Sequence, residues 1–242
     1  MEYLPGIGRE ETCQGCQACT VRPTEATAED ALIRRVVTRV LQESGAPVAA
    51  PAAAGIPVGV SVRHVHVRPE DLEILYGPGY QLNKLRDLYQ PGEYASQEVV
   101  ALVGPRMRSI QNVRILGPAR DYTQVELSRT DGIQLGLNLP VRRSGDLGGA
   151  CPIVLVGPAG SLHLKAAAIR AIRHIHMPPA EAARLGVTDG QLVKVSVPGE
   201  MGLVFNNVMI RVGEGLRLQM HVDTDDANAA DLTCSDSVEI VT

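Results

Sequence analysis

The sequence predicts a mainly β protein: two small β-barrel domains capped by short helices, preceded by an N-terminal amphipathic helix on a flexible linker. Three observations lead to this fold class. From about residue 58 onward, short runs of alternating apolar and polar residues are separated by Gly, Pro, Asp and Asn, as is typical of barrels and sandwiches. One segment with two histidines occurs twice. An Ala/Pro/Gly-rich stretch separates the β-rich part from a helical pattern.

Bulk composition narrows the class of protein. A chain of 242 residues is long enough for one large domain or two small ones. The formal net charge of −4 provides no positive field for nucleic acid. No apolar run reaches the roughly 18 residues that a membrane helix needs, and the N-terminus lacks the basic-then-apolar pattern of a secretory signal. We therefore expect a cytosolic protein that binds neither nucleic acid nor membrane.

Three segments precede the β-rich part. Residues 1–26 are predicted to be an irregular tail, residues 27–43 a helix, and residues 44–57 an Ala/Pro/Gly linker. Thr27 can act as the N-cap, with Asp30 three residues later approximating a capping box. The apolar positions of the helix form a single stripe: Leu32, Ile33, Val36, Val37, Val40 and Leu41.

The cysteines are five in number, an odd count that suggests free thiols or metal ligands in a reducing compartment. Cys13, Cys16 and Cys19 form the CQGCQAC cluster, whereas Cys151 and Cys234 stand alone. An iron–sulfur cluster usually takes a fourth cysteine, which is missing locally. We interpret the cluster as a thiol-rich tail, with metal binding as the alternative.

The β-rich part divides into a first barrel region at 58–170 and a second at 171–242. RHVHVRPEDLEILYG begins at residue 63 and resembles RHIHMPPAEAARLG, which begins at residue 173. Each copy reads as a strand with His-x-His followed by a helix that begins at a proline. The pattern predicts short helices at Pro69–Tyr76, Leu82–Leu88 and Pro179–Leu185, and a strand in IQLGLNLPV at 133–141.

The histidines of the two copies are candidate metal ligands. Successive strand residues point to opposite faces, so His64 and His66 share a face, as do His174 and His176. His221, in LRLQMHV, is a natural further ligand on another strand. Two such pairs in equivalent positions indicate a metal site, and the alternative is a set of structural histidines hydrogen-bonded across a barrel interface.

Three polar residues could complete such a site. Glu126 in TQVELS is the best acidic candidate, since imidazole with carboxylate is a typical zinc shell. An outward-facing strand carboxylate is its alternative. Arg120 follows a Gly-Pro turn and could clamp a phosphate, although an exposed loop arginine would look the same. Ser144 lies in VRRSGDLGGA, a loop that can offer N–H groups to an anion or be an ordinary surface turn.

Several motifs in order resemble one family. RHVHVRPEDLEILYG, GPARDYTQVELSRTDG, RRSGDLGGACPIVLVGPAG, RHIHMPPAEA and MHVDTDDAN are similar to the propanediol-utilisation type phosphotransacylases, also called phosphate propanoyltransferases. The resemblance runs from about residue 58 to the C-terminus. It implies two barrels that exchange strands, with a site between them that binds two zinc ions.

The resemblance also implies roles for individual residues. His64, His66 and Glu126 would hold the first zinc, which meets the thiol of coenzyme A (CoA). His174, His176 and His221 would hold the second. Arg120 would bind phosphate, with Ser144 nearby. The implied reaction interconverts acyl-CoA (propanoyl- or acetyl-CoA) plus phosphate with acyl phosphate plus CoA by direct transfer, with Arg120 and Glu126 as the catalytic residues.

Members of this family found in bacterial microcompartments carry an amphipathic helix on a linker. Residues 27–43 have that form, so the resemblance implies binding to shell proteins and a location inside a microcompartment of the bacterial cytoplasm, with propanediol degradation as the family's setting. A homo-oligomer is compatible with the sequence. The alternatives are a zinc hydrolase or hydratase, since the same histidines suit a zinc-bound hydroxide, and a non-enzymatic shell-associated protein whose metals staple two barrels together.

Overall fold

The computed structural model describes residues 55–241. This part of the chain is mainly β and contains two closed six-strand barrels with a few short helices. The predicted fold class is thereby confirmed. The predicted Cys-containing tail at 1–26, the helix at 27–43 and nearly all of the linker at 44–57 lie outside the described residues.

The secondary structure within residues 55–241 comprises fourteen strands and four helices. The strands are β1 (Ile56–Ser61), β2 (His64–His66), β3 (Lys84–Asp87), β4 (Tyr94–Val103), β5 (Ser109–Gly117), β6 (Gln124–Glu126), β7 (Val141–Arg142), β8 (Cys151–Val156), β9 (Ser161–Ala171), β10 (His174–Met177), β11 (Leu192–Val197), β12 (Leu203–Val212), β13 (Gln219–Asp223) and β14 (Ser237–Val241). The helices are α1 (Pro69–Tyr76), α2 (Arg129–Leu135), α3 (Pro179–Leu185) and α4 (Thr224–Ala229).

The two barrels have the same strand order. The first runs β4–β5–β2–β6–β9–β8 and closes where β8 pairs with β4, while β3 and β7 extend it at β4 and β9. The second runs β11–β12–β10–β13–β1–β14 and closes where β14 pairs with β11. In this order β2 corresponds to β10, β6 to β13, β5 to β12 and β9 to β1. The chain therefore contains a structural duplication.

The duplication divides the chain into two halves, β1–β8 and β9–β14. The first strand of each half, β1 or β9, pairs within the barrel that the other half forms. β1 pairs in parallel with β13 and antiparallel with β14, although it leads directly into β2 of the first barrel. Its counterpart β9 pairs with β6 and β8 of the first barrel and leads into β10 of the second. The barrels consequently do not coincide with the ranges 58–170 and 171–242, because the first of these contributes β1 to the second barrel.

The barrel interiors explain where the histidines point. Val65, between His64 and His66, is fully buried in the first core, and Ile175, between His174 and His176, is fully buried in the second. Because side chains alternate across a strand, all four histidines project from the outer face of their barrels.

Two local predictions are wrong. The expected helix at Leu82–Leu88 is instead occupied by β3, whose four residues are exposed and which hydrogen-bonds to β4 as an edge strand. β3 and β4 are consecutive strands joined by residues 88–93, and their antiparallel pairing overrides the helical pattern of the segment. The expected strand at 133–141 begins inside α2, because Ser128 and Asp131 form a capping box and Gly136, in the left-handed region, ends the helix.

The helices α1 and α3 occupy the predicted ranges Pro69–Tyr76 and Pro179–Leu185, each with a proline in its first turn. Among residues 55–241, no helix is both long and apolar enough to cross a lipid bilayer.

Candidate metal centre and anion site

The first group of candidate ligands lies on two antiparallel strands. β2 and β6 pair with His64 opposite Glu126, and the donor atoms of His64, His66 and Glu126 lie within 4.8 Å of one another. His64 Nε2 is 3.6 Å from Glu126 Oε2, and His66 Nε2 is 3.9 Å from Oε1. These distances are too long for hydrogen bonds but near the roughly 3.4 Å between ligands of a tetrahedral zinc. The group could hold a metal ion.

Neighbouring groups orient these ligands. His64 Nδ1 lies 2.8 Å from the carbonyl oxygen of Val62; because a carbonyl only accepts, Nδ1 carries the proton and the Nε2 lone pair faces the cluster. Glu126 Oε1 accepts hydrogen bonds from Ser144 Oγ at 2.8 Å and Gln124 Nε2 at 2.6 Å. Ser144, expected near a phosphate, therefore supports the carboxylate of the metal group.

The second group consists of three imidazoles on β10 and β13. The ring centroids of His174, His176 and His221 are 4.7 to 5.1 Å apart. His174 Nδ1 lies 2.8 Å from the carbonyl oxygen of Ile172, repeating the contact of His64. Both ring nitrogens of His176 and Nε2 of His221 are buried without a hydrogen-bond partner among the described residues. Buried polar atoms are normally paired, and a metal ion would satisfy Nε2 of His221 and one of the two ring nitrogens of His176.

Burial keeps the second group uncharged. Burial, together with a smaller effect of the neighbouring histidines, lowers the pKa of His174, His176 and His221 to about 3. Burial likewise holds the pKa of His66 well below its usual value, with smaller effects from His64 and Arg120. Because metals bind the neutral imidazole, these side chains are in the ligating form at neutral pH.

The two groups face one cleft. Its lining includes His64 and Glu126 from the first barrel and His174 and His221 from the second. Histidines that are far apart in the sequence thus meet in one place, which was the structural requirement of the predicted site.

The groups occupy equivalent positions with different chemistry. β6 places Glu126 opposite His64, and β13 places His221 opposite His174. One group is therefore two imidazoles and a carboxylate, and the other is three imidazoles. In the first group the carboxylate of Glu126 would offset part of the charge of a metal cation. In the second group the neutral imidazoles would offset none of it.

Arginine charges act on both ligand groups: Arg120 acts on His66, and Arg211 acts on His174, His176 and His221. Arg120 donates to Glu93 Oε1 at 2.9 Å and to the hydroxyl of Tyr122 at 2.9 Å. Its other three N–H groups have no hydrogen-bond partner within residues 55–241. Sequence reasoning missed Arg211, which lies on β12 in register with His176. In LVFNNVMIRV it reads as an ordinary outward strand residue, and only the repeat, which makes β12 a neighbour of the histidine strand, could have indicated it.

Two barrels that present different histidine groups to one cleft, with arginines near both groups, define a candidate metal-dependent transferase or hydrolase. Comparison with known proteins resolves the class. Residues 57–233, well over half of the chain, match the family model of phosphate propanoyltransferase, and the chain belongs to this family.

Curated relatives agree. The chain is 47% identical over 210 residues to a phosphate propanoyltransferase of Lachnoclostridium phytofermentans, covering 87% of this chain and 97% of that protein. It is 54% identical over 188 residues to one of Thermotoga maritima, covering 77% and 89%, and 49% identical over 176 residues to one of Salmonella typhimurium, covering 72% and 83%.

Proposed function

We propose that the protein transfers an acyl group between CoA and inorganic phosphate, interconverting acyl-CoA plus phosphate with acyl phosphate plus CoA. Family membership supports this activity. The observation that carries the mechanism is the meeting of two chemically different ligand groups in one cleft. Propanoyl-CoA and acetyl-CoA are the proposed substrates, since a pocket discriminates one methylene by only about 1–3 kcal/mol.

The proposed cofactors are two zinc ions. His64, His66 and Glu126 would hold one, and His174, His176 and His221 the other. The unpartnered nitrogens of His176 and His221 support the second site. When bound, zinc lowers the pKa of a coordinated thiol and polarises carbonyl and phosphate oxygens.

The ligand residues divide the cleft by charge. The carboxylate of Glu126 offsets positive charge on its side, which suits a thiol that carries at most one negative charge. The three neutral imidazoles of the other group offset none, so phosphate is attracted to that side. Arg120 would hold the phosphate through the N–H groups that Glu93 and Tyr122 leave free.

The side chains in the cleft support direct transfer within a ternary complex. A phosphate oxygen bonds to the acyl carbon, the carbon–sulfur bond breaks, and its electron pair stays on the sulfur of CoA. The cleft lining includes one hydroxyl next to a histidine, that of Ser61, whose Oγ lies 3.4 Å from His221 Nδ1. An attacking serine would need this histidine as its base. With a pKa of about 3, however, His221 is a poor base at neutral pH, and neither Cys151 nor Cys234 lines the cleft.

The test is release of free thiol from acetyl-, propanoyl- and butanoyl-CoA, with and without phosphate. Transfer requires phosphate, whereas a zinc hydrolase or hydratase would not use it. Chelation should abolish turnover. Labelled acyl-CoA should leave no covalent acyl-enzyme, and a burst of labelled protein would contradict direct transfer.

We further propose that residues 27–43 bind microcompartment shell proteins and place the enzyme inside a bacterial microcompartment. The amphipathic pattern and the following linker support this. The 210 aligned residues of the Lachnoclostridium protein exceed the length of residues 55–242 and so include part of the N-terminal segment.

A further inference from the structure

We propose that Arg211 binds the phosphate group that is transferred, acting with Arg120 on the side of the cleft formed by His174, His176 and His221. This inference rests on the proposed function and adds a second phosphate-binding residue to it.

The strand register places Arg211 at the site. β12 runs parallel to β10, with Ile210 opposite Ile175 and Arg211 opposite His176. Ile210 and Ile175 are both fully buried in the core of the second barrel. Side chains alternate along a strand, so Arg211 and His176 both point away from that core, on neighbouring strands about 5 Å apart.

Arg211 lacks a protein partner within residues 55–241. Most half-buried arginines in this range contact a carboxylate: Arg63 contacts Asp131, Arg120 contacts Glu93, and Arg173 contacts Asp226. Arg211 is also half-buried but forms no ion pair or hydrogen bond there. Its nitrogens are not among the buried unpartnered atoms and so remain accessible, which leaves the guanidinium free to bind an anionic ligand.

Two other arginines act electrostatically on the guanidinium of Arg211. Burial lowers the pKa of Arg211, and the nearby guanidinium groups of Arg143 and Arg120 lower it further, while Glu126 opposes them. Glu126 is already engaged by Ser144 and Gln124. Three arginines converging on one region repel each other until an anion lies among them.

Comparison of the two barrels shows that Arg211 has no arginine counterpart at the equivalent position of the first barrel. In the first barrel, β5 takes the place of β12, with Ile115 opposite Val65. The next residue, Leu116, therefore occupies the position equivalent to Arg211. The first barrel does place Arg114 opposite His64, but its guanidinium donates to the carbonyl oxygens of Ser96 and Gln97. An arginine without a protein partner among the described residues therefore lies only beside the three-histidine group, which favours that side for the phosphate.

The test compares Arg211→Gln with Arg211→Lys and with Lys194→Gln, which removes an exposed positive charge from β11 of the same barrel. In the acyl-CoA assay, Arg211→Gln should raise the KM for phosphate about 10- to 100-fold, the scale of a charge-assisted hydrogen bond, while the KM for acyl-CoA stays within about twofold. Arg211→Lys should be intermediate, because an ammonium keeps the charge without the planar fork. Lys194→Gln should match the parent protein.

A second measurement does not depend on turnover. Inorganic phosphate should raise the melting temperature of the parent protein and of Lys194→Gln but not of Arg211→Gln. In phosphate-free buffer Arg211→Gln should melt no lower than the parent, because it relieves repulsion. A lower melting temperature there would show a structural role and overturn the proposal.

The CoA phosphates are the other source of anionic groups. An Arg211→Gln effect on the KM for acyl-CoA that disappears with acyl-pantetheine would assign Arg211 to CoA and overturn the proposal, as would an unchanged KM for phosphate. If the parent protein released thiol without phosphate, the proposed function would fail. Loss of phosphate stabilisation in Arg211→Gln would even then support an anion site at Arg211.

Discussion

Arg63 and Asp131 form an ion pair of 2.8 Å that Arg173 and Asp226 repeat at 2.9 Å in the other half of the duplication. Arg63 directly precedes His64, and Asp131 lies in α2, which follows Glu126 on the neighbouring strand. Each ion pair thus connects the strand of one candidate ligand to the helix that follows its partner. The second pair does the same for His174 and His221.

Removing this connection should weaken both the fold and the metal group. We expect Arg63→Met to lower the free energy of unfolding by about 1–3 kcal/mol, since the carboxylate of Asp131, 2% exposed, loses its counter-ion. It should also reduce zinc affinity at the first group. Urea unfolding and competition with a zinc chelator measure the two effects. Arg86→Met, at an exposed position on β3, is the control; equal unfolding curves for the two variants would refute the connection.

Metal content should separate the two groups. We expect two zinc ions per parent chain, one in Glu126→Gln, one in His176→Asn and none in the double variant, because the groups share no ligand. Elemental analysis after dialysis measures the content. His163→Asn, on an exposed part of β9, should retain two. Loss of both ions on mutation of either group would indicate a single shared site instead.

The sequence predicted the candidate ligands because the evidence for them is local and repeated. His64 and His66 are two residues apart, and the same spacing recurs at His174 and His176. Strand alternation alone then places each pair on one face. Glu126 was different: its strand pattern equally suited an outward carboxylate, and only the family resemblance favoured it as a ligand.

Non-local pairing explains what the sequence did not predict. The position of Arg211 depends on parallel pairing of β12 with β10, and that of β1 depends on pairing with β13 and β14 near the C-terminus. Alternation shows which face a side chain occupies but not which strand lies beside it. The expected helix at Leu82–Leu88 is wrong for a different reason, since β3 pairs with the next strand, β4, and this hairpin overrides the local helical pattern.

Deleting residues 1–45 should separate catalysis from localisation. Residues 55–242 form a compact unit by themselves, so we expect the truncated protein to fold and to retain phosphate-dependent thiol release. It should no longer co-purify with microcompartment shells. A variant with Leu32 and Val36 changed to Gln tests the apolar stripe without shortening the chain. Loss of activity on truncation would instead indicate that the segment supports the catalytic body.

Acid should destabilise the metal-free protein through the second histidine group. His174, His176 and His221 have a pKa of about 3 in the folded protein, against about 6.5 in an unfolded chain. Between these values the unfolded chain binds more protons. The free energy of unfolding therefore falls as the pH drops from about 6.5 toward 3, and each histidine contributes a slope of up to about 1.4 kcal/mol per pH unit.

Replacing one histidine should remove its share of that slope. We expect the metal-free His176→Asn protein to lose stability between about pH 6 and pH 4 less steeply than the parent, by about 1.4 kcal/mol per pH unit. Urea unfolding at several pH values, with chelator present, measures the slopes. The comparison uses slopes because the substitution also changes stability at every pH. His163→Asn should keep the parental slope, and an equal slope in His176→Asn would show that His176 is charged in the folded protein.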